Sequence, residues 1–395
     1  MVIAKKSRPL PSVLLITRNL PPLIGGMERL NWHIADQLSR YGQVNIVGPA
    51  GARTLAPREV HLYEVALRPL WRFLMGAGLR ALIVASKDRP TCVLAGSGLT
   101  APLAWLTARL KRTQAAVYLH GLDIVVDQPL YRAVWLPLIR RMDCVVVNSN
   151  ATKKLAIKAG ISEQKIHIVP PGVTLPAEAL SPMAARDFRR SRGLEIGPIL
   201  LSVGRLTARK GLLEFVRDIL PSVVVDQPQI KFVIVGNAPD DALQADLQTP
   251  AQIQTAAEAS GVGAHLHFVG AVKDWDELGA IYRAADLHVF PVQQIPDDPE
   301  GFGMVAVEAA AFGLPTIAYA TGGVIDAVAE GESGYLISPG DVRGMVKSIC
   351  RALDNPLSPK MVRQHAERFA WPKVGAELAM RLGMQTSPRV EKPAL

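Results

Sequence analysis

Cysteine is almost absent from this sequence: Cys92, Cys144 and Cys350 are the whole supply among 395 residues. None is spaced as CxxC and an odd one is left over, so neither a disulfide framework nor a zinc site is supported, and a reducing compartment fits. No run approaches about 18 uninterrupted apolar residues, which argues against a membrane-spanning helix. The basic stretch Met1 to Arg8 leads into a short apolar run after Leu10 that stops at Arg18. No small-residue cleavage site follows, so this run is expected to be a strand and not a signal peptide. Low-complexity tracts and short-period repeats are also missing. What remains is ordinary globular material, 49% hydrophobic and 20% charged, which excludes disordered and collagen-like classes. At roughly 150 residues per domain, the length predicts two domains or a little more.

Acidic residues are scarce in one half only. Residues 1–180 hold 23 Lys and Arg against 10 Asp and Glu, and the remainder holds 21 against 25. A basic first half joined to a mildly acidic second half predicts that one domain faces something anionic, nucleic acid or anionic lipid.

Both halves alternate between strand-like and helix-like runs. In the first half the strands are expected at Ser12–Thr17, Val44–Val47, Cys92–Ala95, Ala116–Leu119, Cys144–Asn148 and Lys165–Val169, with helices such as Gly26–Tyr41, Ala101–Lys111 and Ala151–Gly160 between them. In the second half they are expected at Ile199–Val203, Lys231–Val235, His265–Val269, Leu287–Phe290, Thr316–Tyr319 and Gly334–Ile337. Continuously apolar strands separated by helices predict parallel sheets covered on both faces, hence two doubly wound, Rossmann-like α/β domains. The expected division is 1–175 for the first domain, 176–197 for a proline-containing hinge, 198–368 for the second domain, and 369–395 for a C-terminal helix and a loose tail from Gln385.

Four segments could carry chemistry. In Pro299-Glu300-Gly301-Phe302-Gly303-Met304-Val305-Ala306-Val307-Glu308, two carboxylates eight apart would lie about two helical turns from one another and could face one ligand. Gly301 and Gly303 would let the backbone approach that ligand, and the N–H groups of Met304 and Val305 at a helix N-terminus would suit a phosphate. A plain helix-start acid at Glu300 and a solvated Glu308 are the bland alternative, but Glu308 sits among Val305, Ala306, Val307, Ala309 and Ala310, which disfavours solvent. The second segment, Ser202-Val203-Gly204-Arg205 through Lys210-Gly211, places two spaced cations after a strand and a glycine turn. Arg205 as a fork and Lys210 as a point charge could clamp a diphosphate, since cations at a helix start oppose the macrodipole unless an anion joins them. Third, Gly25-Gly26 follows the first strand and opens a helix, so it is either an anion-meeting loop or simply a tight turn. Fourth, His120-Gly121 ends a strand, where ligands of open α/β sheets collect, although a lone histidine is often structural.

Other patterns lead nowhere. Gly301 to Ala306 imitates a dinucleotide fingerprint, but Glu300 directly precedes it and Tyr319-Ala320-Thr321 lacks the ribose-binding acid. Asp274-Trp275-Asp276 looks like a metal-binding DxD, yet Asp274 with Glu277 before Leu278 makes a better helix cap. Asp297-Asp298 reads as a polar loop.

Taken together, the motifs resemble the retaining glycosyltransferases of the GT-B fold, specifically family 4 (group 1). The resemblance rests on Glu300 to Glu308 as the family's E-x7-E element, on Gly204-Arg205 and Lys210-Gly211, on Gly25-Gly26, on Asn148-Ser149 with Pro170-Pro171-Gly172-Val173, and on Gly313-Leu314-Pro315 with Gly322-Gly323. It covers nearly the whole chain. Thr174 departs from it, standing where the family commonly has Asp or Asn. The resemblance implies two Rossmann-like domains facing a central cleft, the first holding the acceptor and the second the nucleotide sugar. It implies that Glu308 binds the ribose hydroxyls, that Arg205 and Lys210 hold the diphosphate, that Glu300 meets the donor sugar, and that N–H groups around Gly303, Met304 and Val305 add to phosphate binding. Gly204 would belong to the donor-binding set, His120 would lie near the transferred sugar, and Gly25-Gly26 near phosphate and acceptor. It implies no cofactor and no metal beyond the nucleotide-sugar donor, because fixed cations take the metal's place.

The overall look is closest to transferases using GDP-mannose on lipid-linked acceptors, and UDP-sugar users share every motif quoted. Arg68 to Arg80 and Pro129 to Arg141 mix cations with Trp71, Tyr131, Trp135 and aliphatics, so either could lie in a bilayer interface or pack on a core. The expectation is a cytoplasmic enzyme, peripheral at the inner face of an anionic membrane, with no nucleic-acid partner for want of a reading motif. From a different class, a non-catalytic glycan-assembly scaffold would keep the fold without turnover.

Overall fold

A computed structural model describes residues 11–23, 25–176, 182–238, 247–296 and 298–384. The chain divides into two compact units, residues 1–172 with 371–395, and residues 173–370. The division differs from the expected one at two places. The segment expected as a hinge contains a helix, Pro182–Ser191, that lies in the second unit; residues 177–181 fall outside the described set. The C-terminal helix, Trp371–Arg381, lies in the first unit, where it covers strands from the far end of the chain. The tail from Gln385 is outside the described residues.

Among its described residues the first unit holds seven strands: β1 (Ser12–Ile16), β2 (Gln43–Pro49), β3 (Val60–Val65), β4 (Cys92–Ala95), β5 (Gln114–Leu119), β6 (Cys144–Val147) and β7 (Ile166–Ile168). They form one parallel sheet in the order β3-β2-β1-β4-β5-β6-β7, with Leu15 facing Ile46 on one side and Leu94 on the other. Period-2 side chains split the core. Val13 and Leu15 pack with helices Gly26–Ser39 and Trp371–Arg381, whereas Leu14 and Ile16 pack with helices Leu70–Asp88 and Ala101–Lys111. Strand β3 is absent from the sequence-based expectation. It is an edge strand with only Leu62 buried, and its mixed sequence VHLYEV lacks the continuous apolar signature of its neighbours.

Among its described residues the second unit holds six: β8 (Ile199–Val203), β9 (Lys231–Val235), β10 (Leu266–Gly270), β11 (Leu287–Phe290), β12 (Thr316–Tyr319) and β13 (Gly334–Ile337). Their order, β10-β9-β8-β11-β12-β13, is again all parallel. Leu200, Phe232, Val289 and Ile317 face one helical layer, and Leu201, Val203 and Val233 face the other.

Each sheet reverses its winding once, between β1 and β4 in the first unit and between β8 and β11 in the second. Beyond the carboxyl ends of such strand pairs the flanking helices diverge and leave a crevice for ligands. Thr17 and Gly96 follow β1 and β4, and Gly204 and Pro291 follow β8 and β11, so the motif segments lie where the topology makes room.

Candidate active site

In the second unit β8 ends at Val203 and Gly204 turns the chain toward Arg205, which is exposed. No carboxylate pairs with Arg205 among the described residues. A short turn, Ala208–Lys210, brings the next two cations inward. Lys210 Nζ lies 2.7 Å from Glu300 Oε2, and Arg209 Nε approaches the same oxygen at 3.3 Å. Arg209 also pairs through Nη1 with Asp298 and donates to the Pro299 carbonyl at 3.3 Å. The Arg209 and Lys210 side chains are 9% and 12% exposed, so these are largely buried ion pairs. In the return direction, the Gln293 amide donates to the Arg209 carbonyl at 2.8 Å. Lys210 Nζ additionally stands 4.6 Å from the ring centre of Phe290, at the end of β11.

This charge arrangement sets the protonation of Glu300. Burial alone would raise its carboxyl, but the charges of Lys210, Arg209 and Arg205 and the Lys210 hydrogen bond outweigh burial and hold it at about 2. Burial pulls the Lys210 ammonium below its ordinary value, and Glu300 opposes that pull. On β11, His288 is wholly buried and held neutral, at about 3, by burial and by the nearby Lys210 charge.

Glu300 and Glu308 do not lie on one helix as their spacing suggests. The helix runs Met304–Ala311, with Gly303 as its cap, and Glu300 sits in the extended segment before it. The two carboxylates are therefore held by different means. Glu300 is fixed by cations, and by its carbonyl accepting from the Gly323 amide at 2.8 Å. Glu308, 4% exposed on the buried face of the helix, accepts from the Tyr282 hydroxyl at 3.3 Å. The amides of Met304 and Val305 open the helix, where the first N–H groups have no intrahelical acceptor and the dipole favours an anion.

In the first unit, Gly25 is extended and Gly26 opens helix Gly26–Ser39. A side chain at Gly25 would meet Glu28 Oε2 at 2.3 Å, and Glu28, only 8% exposed, accepts from Asn19 Nδ2 at 2.7 Å through Oε1. His120 follows β5. Its amide donates to Asp123 Oδ2 at 2.9 Å and its Nε2 lies 2.9 Å from the Gly96 carbonyl, which requires a proton on Nε2. Asn148 Nδ2 donates to the His120 carbonyl at 3.3 Å. The histidine, Gly96 and Asn148 thus gather beyond three adjacent strands, β4, β5 and β6.

Sequence reasoning misses Arg209, Asp298 and Tyr282, and Asp298 is not the plain polar loop residue expected. An acidic run opposite the adjacent pair Arg209-Lys210 is the signal that could have found two of them. Asp297 lies outside the described residues. Asp274 is a cap and not part of a metal motif: it opens helix Trp275–Ala284 by accepting from the Glu277 amide at 2.8 Å. Among the described residues, no group of three or more His, Cys, Asp or Glu side chains is placed to hold a metal ion.

Two family models match the chain. Residues 24–175 match the one described as Glycosyltransferase Family 4, and residues 185–369 match Glycosyl transferases group 1. Over 394 aligned residues the chain is 26% identical to a GDP-mannose-dependent alpha-(1-6)-phosphatidylinositol monomannoside mannosyltransferase of Mycolicibacterium smegmatis, covering 95% of this chain and 100% of that protein. It is 32% identical to a D-inositol 3-phosphate glycosyltransferase of Acidothermus cellulolyticus across 59% of this chain and 51% of the relative. Among solved structures, Anabaena Alr3699/HepE in complex with UDP superposes with a TM-score of 0.75 at 20% identity, covering 94% of this chain and 99% of that one.

Proposed function

Because the chain is a glycosyltransferase of GT-B fold, built from a family 4 domain and a group 1 domain, we propose that it moves a mannosyl group from GDP-mannose to a lipid-linked or glycan acceptor, with retention and without a metal. The observation that carries the reading is the buried pair of unlike carboxylate sites in the second unit: Glu308 at 4% exposure on the helix, and Glu300 ionised between two cations. A carboxylate with two acceptor oxygens suits the vicinal hydroxyls of a ribose, which is the part Glu308 takes. Arg205 is exposed and unpaired by any described carboxylate, so it and Lys210 are the groups that would meet the diphosphate, with the Met304 and Val305 amides. Fixed cations placed there stabilise the charge that develops as the sugar–phosphate bond breaks. His120 would act near the transferred sugar, and Gly25-Gly26 near phosphate and acceptor. In the step itself the bond from sugar C1 to the β-phosphate oxygen breaks as the acceptor oxygen bonds C1 on the same face. The acceptor's proton passes to the departing phosphate. The products are the glycoside and a free nucleoside diphosphate.

The name of the mycolicibacterial relative, matched over almost the full chain, favours GDP-mannose and a phosphoinositide-type acceptor; the UDP bound by the Anabaena protein keeps UDP-sugars as the second reading. Calorimetric titration with GDP and with UDP separates the two. Micromolar binding of GDP and none of UDP is expected, the reverse result assigns a UDP-sugar, and binding of neither would overturn the enzyme reading in favour of a glycan-assembly scaffold.

A lipid acceptor calls for a surface that meets the bilayer, and helix Leu70–Asp88 offers one. Its buried face is Phe73, Ala77, Ala81, Val84 and Ala85. Its outer face carries Trp71, Met75, Leu79 and Ile83 at four-residue spacing, 53–69% exposed, beside exposed Arg72, Arg80 and Lys87. An apolar stripe with basic flanks fits the interface of an anionic membrane, such as the inner face of the cytoplasmic membrane. No described helix is long and apolar enough to cross one. The protein should sediment with phosphatidylglycerol vesicles at low salt, and Trp71→Glu with Leu79→Glu should weaken that by about tenfold or more, given ~1.5–3 kcal/mol per large apolar side chain buried. A wild-type protein that stays wholly in the supernatant at low salt would sink the membrane reading.

A further inference from the structure

We infer that Arg209 is a positioning residue for transfer: it keeps Glu300 in place and ionised while Lys210 turns to the donor's diphosphate. The inference rests on the reading of Glu300 and Lys210 given above, and it starts from a conflict within that reading. Lys210 is asked to hold a diphosphate, yet its ammonium already lies 2.7 Å from Glu300 Oε2. Arg209, Lys210, Asp298 and Glu300 balance to no net charge within their cluster, so an arriving diphosphate must compete with Glu300 for Lys210.

If Lys210 alone held Glu300, that competition would free the carboxylate in a site where burial works to protonate it. Arg209 removes the difficulty. Its guanidinium stands beside the same Oε2, with Nε at 3.3 Å in an ion pair that lacks hydrogen-bond alignment, and its far end is tied to Asp298 and to the Pro299 carbonyl. Those anchors belong to the segment that carries Glu300, so Arg209 moves with Glu300 and not with the phosphate. Both cations approach Oε2; no described group forms a hydrogen bond or ion pair with Oε1, which leaves that oxygen for a sugar hydroxyl. The division of labour also fits side-chain chemistry. A planar guanidinium with five donors can bridge two carboxylates and a carbonyl at once, whereas a lysine on a flexible stem can change partners.

The test compares Arg209→Gln and Arg209→Lys with the wild type, reading sugar-nucleotide turnover across pH 3–8, nucleoside diphosphate affinity and melting temperature. For Arg209→Gln, kcat should fall about 10- to 100-fold, at or below the usual effect of deleting one preorganised electrostatic group, while nucleoside diphosphate affinity stays within about threefold. Glu300 is then without one of the charges that lower its pKa, so it protonates at higher pH, and the acid limb of kcat should move upward. Arg209→Lys, which keeps the charge, should recover part of the rate and return the acid limb toward that of the wild type. A merely structural role predicts that both variants lower the melting temperature while leaving the acid limb unmoved. That result, or an unchanged kcat in Arg209→Gln, would overturn the inference. Failure of the underlying reading has a separate signature, because the wild type itself would then bind no nucleotide and turn over no sugar nucleotide.

Discussion

Replacing Lys210 by alanine is expected to lower kcat/KM by about 10²- to 10³-fold, the cost of removing one preorganised group that stabilises developing charge. Two effects combine in this variant. On the proposed reading the diphosphate is deprived of an inward-facing cation, which should weaken nucleotide binding as well as slow transfer. Glu300 is deprived of its shortest ion pair, at 2.7 Å, and with it the largest of the influences that hold its pKa near 2 against burial. A carboxylate whose pKa is depressed by cations titrates at higher pH when a cation is removed, so the acid limb of the pH profile should move upward and the residual activity should be best recovered at alkaline pH. Steady-state kinetics at pH 5 and pH 8, with calorimetry for the nucleotide, would check both parts. The contrast with Arg209 is informative: Lys210→Ala should lower affinity and rate together, Arg209→Gln rate alone. A Lys210→Ala enzyme within tenfold of wild type would remove Lys210 from the chemistry.

The second large effect concerns the turn that aims those cations. Gly211 has φ +69°, and a Cβ there would stand 2.1 Å from the Pro291 carbonyl oxygen and 2.7 Å from Gln293 Nε2. Gly211→Ala therefore combines left-handed strain of about 1–2 kcal/mol with a backbone collision that no rotamer relieves. A total of about 3–5 kcal/mol is expected, in the uppermost class of single substitutions. At about 2–4 °C per kcal/mol for a unit of this size, the melting of the second unit should fall by roughly 10 °C. Gly331→Ala is the control. Its φ is +71°, but nothing lies within 4 Å of the added carbon, so only the strain remains and the shift should be a few degrees. Equal shifts for the two variants would show that conformation alone, not the packing of the Ala208–Lys210 turn on the end of β11, governs this position.

The expectations that survive in the fold are those that depend on local pattern. Strands Cys92–Ala95, Ile199–Val203, Lys231–Val235, Leu287–Phe290, Thr316–Tyr319 and Gly334–Ile337 lie where their apolar runs place them, because a strand covered on both faces is made mostly of apolar residues. Strand β3 escapes because an edge position tolerates His61, Tyr63 and Glu64, which break the run. Residues 182–191 look like hinge from their charges and the prolines around them, yet they form a helix whose Arg189 pairs with Asp286 at 2.8 Å. A partner 97 positions away leaves no local trace.

The same division runs through the candidate site. Gly204, Arg205, Lys210, Gly303 and Glu308 are legible because turns, helix starts and a carboxylate among alanines each carry their signal within about ten residues. The winding reversal that places these segments beyond β8 and β11 is legible only as an expected consequence of alternating strands and helices. The capture of Glu300 by Arg209 and Lys210, the Arg209–Asp298 pair, the Tyr282 hydroxyl on Glu308 and the return of the C-terminal helix to the first sheet were decided by the tertiary structure. Those pairings join residues from 26 to more than 300 positions apart. Local sequence determined which side chains would stand at the ends of the strands. Only the packed sheets decided which charges would be buried together, because the desolvation and pairing that set a carboxylate's state depend on neighbours in space and not on neighbours along the chain.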